Sequence, residues 1–213
     1  ASGLSLIQWN FWIDNSTIVM MTLEALLSSF AIAYRVRVLS LERDAAREGE
    51  LAALLLAEID PLTGLLNRRA FLAAAIGRAG EQMLLILDLD HFKLINETIG
   101  HDGGDDVLRA VARTLQLSVP DGALVARIGG EEFAIVLPAD TPIEPRDILD
   151  RLRATRMPYD VAVTASIGKC VGPLLRDVDW KALYGAADRA LYDAKSAGRD
   201  RARIRALPDR IAA

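Results

Sequence analysis

One cysteine and two histidines in 213 residues remove several chemistries at the outset. Cys170 alone forms no internal disulfide, which fits a reducing compartment, and it reads as a small core residue beside a strand. His91 and His101 cannot build a zinc centre by themselves, no His-Glu-x-x-His helix occurs, and both read as capping or packing residues. A Walker-type phosphate loop is also missing, because Val163 stands where the first glycine before Gly168-Lys169 should be. Basic charge is not in excess: the formal net charge of -4 and pI near 5.3 argue against a nucleic-acid partner. Internal repeats and low-complexity tracts are absent, and the length suits one well-buried domain plus an extension. The chain starts at Ala1 rather than Met, so it is expected to be part of something longer.

Residues 1–34 contain no lysine or arginine and carry only Asp14 and Glu24 as charges. Trp9, Phe11 and Trp12 precede Asn15-Ser16-Thr17, which suits a helix start. Ile18 to Tyr34 is then almost wholly apolar and is followed by Arg35 and Arg37. Aromatics at one border and arginines at the other predict a transmembrane segment with its C-terminal end in the cytoplasm. The run of 17 residues is at the lower limit for a span and Glu24 interrupts it, so a buried soluble helix is the alternative. A cleaved signal peptide fits less well, since no basic region precedes the run. Over residues 35–59, Val38, Leu41, Ala45, Ala52, Leu55 and Ile59 fall on a heptad ladder with Glu48 as its polar exception. That predicts a coiled-coil stalk ~36 Å long, with an amphipathic helix packed on its own domain as the alternative.

From Asp60 onward the pattern alternates. Pro61 and Gly64 break the stalk, Arg68–Ala79 reads as a helix and Met83–Leu89 as a strand. Helix is expected from His91 and again over Asp105–Leu117, with the Gly100–Gly104 cluster between. A hairpin over Leu124–Leu137, a helix over Pro145–Thr155, a strand over Val161–Val171, a helix over Tyr184–Ala197 and a short strand over Arg203–Leu207 complete the chain. The order predicts an α+β fold, a palm-like mixed β-sheet flanked by helices.

Two stretches carry the chemistry. Leu84-Leu85-Ile86-Leu87-Asp88-Leu89-Asp90-His91-Phe92-Lys93 is an apolar run ending in acids and a lysine, as in a strand buried on both faces. Arg127-Ile128-Gly129-Gly130-Glu131-Glu132-Phe133 places two glycines between apolar β-forming runs, which predicts a hairpin with a glycine turn. If these strands are neighbours, Asp88, Glu131 and Glu132 gather at one end of the sheet. Three carboxylates there need a cation, and hard oxygen ligands suit magnesium, usually with a nucleotide polyphosphate completing its shell.

The Gly129–Phe133 stretch resembles the signature of the GGDEF family of diguanylate cyclases, in its GGEEF form. Asp60-Pro61-Leu62-Thr63-Gly64-Leu65-Leu66-Asn67-Arg68-Arg69 is similar to that family's opening motif. Asp88–Asn96, Gly100-His101-Asp102-Gly103-Gly104-Asp105 and Ala190-Leu191-Tyr192-Asp193-Ala194-Lys195 resemble its remaining blocks, in order and at its spacing, from about Asp60 to Arg201. The apolar N-terminal run is similar to the last transmembrane helix of bacterial sensor modules that precede such domains.

The resemblance implies that Asp88, Glu131, Glu132 and the Leu89 carbonyl bind Mg2+ or Mn2+, with Glu132 alternatively activating the attacking hydroxyl. It implies phosphate contacts from Lys93, Lys195 and Arg199, the last two read as one face of a helix end, and nucleotide contacts from Phe92 and Gly130. Asn96 offers a donor and an acceptor, Asp105 offers two acceptors that suit the N1–H and exocyclic amine of guanine, and the family reads guanine at these positions, so GTP is expected over ATP. Asp90 reads as structural. The implied reaction condenses two GTP into cyclic di-GMP and two pyrophosphates across a homodimer, at a bacterial inner membrane with the catalytic part in the cytoplasm. An inactive domain that binds GTP or cyclic di-GMP and regulates a partner is the alternative. Many members carry a product-inhibition Arg-x-x-Asp motif; Pro120 and Ala123 occupy its positions here, so no such site is expected. Asp200 departs from the asparagine common after Arg199, leaving the local turn open.

Overall fold

The computed structural model describes residues 11–56 and 58–207. The chain divides into two compact units, Ala1–Ala57 and Glu58–Ala213. The first holds a long helix, α1 (Phe11–Leu56). Asn15-Ser16-Thr17 therefore lies within the helix rather than at its start, and Trp9 lies outside the described residues. Within α1, Ile18–Asp44 is long and apolar enough to cross a membrane, and none of its most apolar window is buried. Most side chains of the heptad ladder beyond Leu41 lie outside the described residues. Ile59 does not extend the helix; it forms an isolated bridge with Leu66.

The second unit is a six-stranded mixed sheet in the order β1-β3-β4-β2-β5-β6. Its strands are β1 (Leu66–Asn67), β2 (Arg78–Leu89), β3 (Leu124–Arg127), β4 (Glu132–Pro138), β5 (Ala165–Leu174) and β6 (Ala202–Arg205). Helices α2 (Arg68–Ala75), α3 (Phe92–Ser118), α4 (Pro145–Ala154) and α5 (Asp177–Ser196) cover it. Because side chains alternate along a strand, β2 supplies both faces. Met83, Leu85, Leu87 and Leu89 enter one core with α3 and α4, whereas Leu84 and Ile86 enter the other with Phe71 of α2 and Leu183 and Leu191 of α5. That two-sided burial explains the unbroken apolar run.

Several boundaries differ from the sequence reading. Helix α2 stops at Ala75 rather than Ala79, because Gly77 and Gly80 adopt φ of 96° and 75° and start β2 early. Strand β1 has only two residues and carries no periodic signal of its own; parallel pairing with Ala126 and Arg127 creates it. Only Gly100 breaks α3 (φ 79°, ψ 167°), whereas Gly103 and Gly104 are helical and buried. Strand β5 begins at Ala165 rather than Val161, after a 3-10 turn at Pro158–Asp160. Helix α5 begins at Asp177, seven residues before Tyr184, where Asp179 accepts the Arg176 N–H and caps the start. Cys170 lies within β5 and is buried, which pushes its thiol pKa up and leaves it a packing residue. Gly168 is required by close approach: a β-carbon there would collide with the Ala187 carbonyl and the Leu191 backbone of α5.

Candidate active site

The acidic end of the sheet follows from register. Strands β2 and β4 are antiparallel with Asp88 opposite Glu132, and the Leu89 N–H donates to the Glu131 carbonyl at 3.2 Å. Asp88, Glu131 and Glu132 are thus brought to one edge, as the two-strand argument anticipated. Asp88 is 7% exposed and pairs with the Lys195 ammonium at 2.8 Å, delivered by the last turn of α5. The Glu131 carboxyl is pushed above its ordinary range, first by burial and next by the Asp88 charge, with Lys195 partly opposing and Glu132 adding.

The turn between β3 and β4 is anchored. Arg127 donates from Nε and Nη2 to the Gly130 carbonyl at 3.0 and 2.8 Å, while its Nη1 reaches Asp60 at 3.3 Å. Asp60 also accepts from the Thr63 amide and hydroxyl at 2.9 and 2.6 Å. Burial alone would raise the Asp60 pKa, but the Thr63 hydrogen bonds and the Arg127 charge outweigh it and hold the carboxyl below its ordinary value. The Asp60–Thr63 turn is in this way tied to the Gly129–Gly130 turn, a role that sequence reasoning did not assign to Arg127. A basic residue two positions before the glycine pair was the available signal. At Gly129 a β-carbon would collide with the Glu132 carboxylate, whereas Gly130 is exposed with open space above it. Neither of these glycines has positive φ, so turn geometry does not demand them, and at Gly129 the use is clearance for Glu132.

Beside the acids lies an open cleft of about 540 Å3 lined by Lys93, Asn96, Glu97, His101 and Glu131. Helix α3 opens here with no side-chain cap, after His91 in a left-handed conformation (φ 56°). An uncapped helix start presents N–H groups and the positive end of the dipole to an anion. His91 therefore neither caps through its side chain nor packs, since it is exposed, and His101 is an exposed lining residue. Lys93 is also exposed, its ammonium 3.9 Å from Glu97. Phe92 is buried in the core beneath the cleft rather than on its wall. Asp105 is half-buried on α3 and is not among the residues lining the cleft. Asn96 packs over Gly104, where a β-carbon would collide with its Oδ1.

Arg199 does not share a helix face with Lys195. Helix α5 ends at Ser196, and Gly198, Arg199 and Asp200 take three successive left-handed conformations (φ 109°, 59°, 46°). Left-handed backbone at a non-glycine residue costs about 1–3 kcal/mol, so the loop must be held by its surroundings. Asp90, 5% exposed, accepts from the Thr164 hydroxyl, the Ser166 hydroxyl and the Asp200 N–H at 3.0, 2.7 and 2.9 Å. That full set of partners makes Asp90 structural.

Among the described residues no three His, Cys, Asp or Glu side chains stand at a spacing that holds a metal ion. The donor chemistry nonetheless fits a hard divalent cation. Asp88 pairs with the Lys195 ammonium, and the Glu131 carboxyl is raised first by burial and then by the Asp88 and Glu132 charges, so oxygen donors are what this end of the sheet offers.

A mixed sheet covered by helices, with carboxylates at the end of a buried strand beside an uncapped helix start and an open cleft, defines the α+β class of this domain. Residues 57–201 match the family described as diguanylate cyclase, GGDEF domain, and the chain belongs to that family. It is 39% identical over 159 residues to the diguanylate cyclase DgcP of Pseudomonas aeruginosa, covering 68% of this chain and 23% of that protein. It is 37% identical over 155 residues to the diguanylate cyclase VdcA of Vibrio cholerae, covering 67% of this chain and 45% of that protein. The chain thus spans less than half the length of these relatives. Among solved structures, diguanylate cyclase SiaD of Pseudomonas aeruginosa, in complex with its activator SiaC, matches with a TM-score of 0.61 at 28% identity, over 90% of this chain and 78% of that one. The coiled coil and GGDEF domain of DgcB from Caulobacter crescentus, in complex with c-di-GMP, matches with a TM-score of 0.59 at 27% identity, over 82% of this chain and 98% of that one.

Proposed function

We propose that this chain is a diguanylate cyclase that condenses two GTP into cyclic di-GMP and two pyrophosphates, each nucleotide held by one domain of a homodimer. The observation that carries the reading is the register that sets Asp88 opposite Glu132, with Glu131 beside them on the wall of the Asn96–Lys93 cleft. Asn96 and Asp105 hold the guanine edge, an arrangement that leaves Asp105 unpaired with adenine. Lys93, Lys195 and Arg199 hold the phosphates together with the start of α3, and exposed Gly130 lets the nucleotide approach the backbone.

Asp88, Glu131, Glu132 and the Leu89 carbonyl would hold magnesium, which supplies charge neutralisation on the triphosphate when bound. Lys195 would exchange its Asp88 contact for a phosphate oxygen when the nucleotide enters. In its alternative role Glu132 is not a ligand but takes the proton as the 3′-oxygen of one GTP forms its bond to the α-phosphorus of the other, and the bond to pyrophosphate breaks. Positioning contributes most of the rate, since the domain offers no covalent nucleophile.

The regulatory alternative is disfavoured by the intact glycines and acids of Gly129–Glu132. We assign residues 1–34 to a membrane segment, 35–59 to a signalling stalk and 60–213 to the catalytic domain, with the catalytic domain in the cytoplasm. The exposed apolar face of α1, with Phe30 at 72% and Leu26 at 68%, supports a lipid environment for that helix. The test is incubation of the purified chain with GTP and magnesium. Cyclic di-GMP with two pyrophosphates per product is expected, and bound but unconverted GTP would select the regulatory alternative.

A further inference from the structure

We infer that Arg153 and Asp200 form a positioning pair that keeps Arg199 free for the nucleotide phosphates. The inference rests on the phosphate role proposed for Arg199. Its starting point is the left-handed run Gly198–Asp200, whose backbone donors are all accounted for. The Gly198 N–H donates to Lys195 at 3.3 Å, the Arg199 N–H to Ala194 at 3.1 Å and the Asp200 N–H to Asp90 at 2.9 Å. Past the run, the Ile167 N–H donates to the Arg201 carbonyl at 2.9 Å and joins the loop to β5. Backbone position is therefore settled by the sheet and by Asp90.

The Asp200 side chain is a separate matter. A carboxylate next to Arg199, and one residue before Arg201, would neutralise either guanidinium if left free. Arg153 of α4 occupies it instead. Its Nε donates to Asp200 Oδ1 and Oδ2 at 3.0 and 3.1 Å, and its Nη2 donates to the Asp200 carbonyl at 3.0 Å and lies 2.9 Å from Oδ1. Asp150 binds the remaining Nη1 and fixes the fork. Arg201 is occupied as well, its Nε donating to the Arg199 carbonyl at 2.7 Å. Arg199 itself is exposed, and among the described residues no carboxylate pairs with it. The planar fork holds both carboxylate oxygens and the carbonyl in one fixed geometry, which the single-point ammonium of a lysine does not impose. An asparagine at 200 would carry no charge and need no such partner. The aspartate and Arg153 therefore work as a unit.

The experiment is calorimetry on the full chain with magnesium and a guanosine triphosphate whose α,β-bridging oxygen is replaced by methylene, which binds without condensing. Arg153→Ala is expected to weaken binding about fivefold, a modest figure because the pair is partly exposed and screened. Affinity for GMP, which lacks the β and γ phosphates, should not change. Adding Asp200→Asn to Arg153→Ala removes the stray carboxylate and should restore triphosphate affinity. A general loosening of the fold would lower GMP affinity too and would not be rescued. Arg199→Ala separates the two readings. If it weakens triphosphate binding while Arg153→Ala does not, the positioning role is wrong; if it has no effect, the phosphate role of Arg199 fails first. Should Arg153→Ala fail to fold, Arg153→Lys serves instead. It keeps the charge and loses the fork, and unchanged triphosphate affinity in that variant also overturns the inference.

Discussion

Gly104→Ala separates stability from binding in this domain. Gly104 is buried in the helical part of α3, and its φ is not positive, so alanine fits the backbone. The helix gains about 0.8–1 kcal/mol from the exchange. Against that, the new β-carbon would collide with Asn96 Oδ1 and lie 3.3 Å from the Phe92 ring. Oδ1 is the end of a side chain with two torsions on a half-buried residue, so it yields by rotating away, and the Phe92 ring moves by a few tenths of an ångström. The fold should therefore stay within about 1 kcal/mol of wild type. The guanine edge, however, loses Asn96. Two neutral hydrogen bonds at about 0.5–1.5 kcal/mol each correspond to a GTP affinity lower by roughly 5- to 150-fold. Gly103→Ala is the control, because the atoms nearest its β-carbon all belong to Ile99, at 2.9–3.1 Å. That change should lower the melting temperature through apolar overpacking and spare GTP affinity. Scanning calorimetry and titration calorimetry on both variants decide the matter. Wild-type GTP affinity in Gly104→Ala, or equal weakening in both variants, would refute the placement of Asn96 at the base.

Asp88→Asn and Glu131→Gln should each lower turnover by more than tenfold, about 1.4 kcal/mol on the barrier, with the melting transition retained; a smaller loss in either removes that residue from the metal site. Asp60→Asn should destabilise the domain by about 2 kcal/mol, because it unties Thr63 and Arg127 from a carboxylate whose side chain is 18% exposed. Since the folded Asp60 carboxyl ionises below the ordinary 3.8, its contribution is present above that value and is lost as pH falls through the lower folded value. Acid melting curves of wild type and Asp60→Asn should accordingly converge at low pH, and parallel curves would contradict this. Removal of residues 1–58 should leave a monomer whose activity per molecule rises with concentration, and full activity independent of concentration would exclude a pairing role for the stalk. Added cyclic di-GMP should not inhibit through the Pro120–Ala123 turn, which offers no guanidinium, and micromolar inhibition unaltered by Pro120→Arg with Ala123→Asp would reveal another product site.

What was legible depended on the range of the interaction. The gathering of Asp88 with Glu131 and Glu132 could be read early because two strong apolar runs bracket it, and β2 and β4 pair in the register those runs allow. The Lys195–Arg199 face was misread because four-residue spacing implies one face only while the helix continues, and Gly198 ends it. The cleft walls contributed by Glu97 and His101 carry no pattern of their own; the Gly100 kink and the course of α3 place them there.

Alternating and continuous hydrophobicity determined by itself that β2 would be central, that helices would cover both faces and that acids would emerge at a strand end, since these follow from period and burial along one short segment. The two-residue β1, the Arg127–Asp60 tie, the Lys195–Asp88 pair and the Asp90–Asp200–Arg153 chain were decided by the tertiary structure alone. Each joins residues tens of positions apart through polar contacts, and a sequence records the donors and acceptors of such contacts without recording which of them meet.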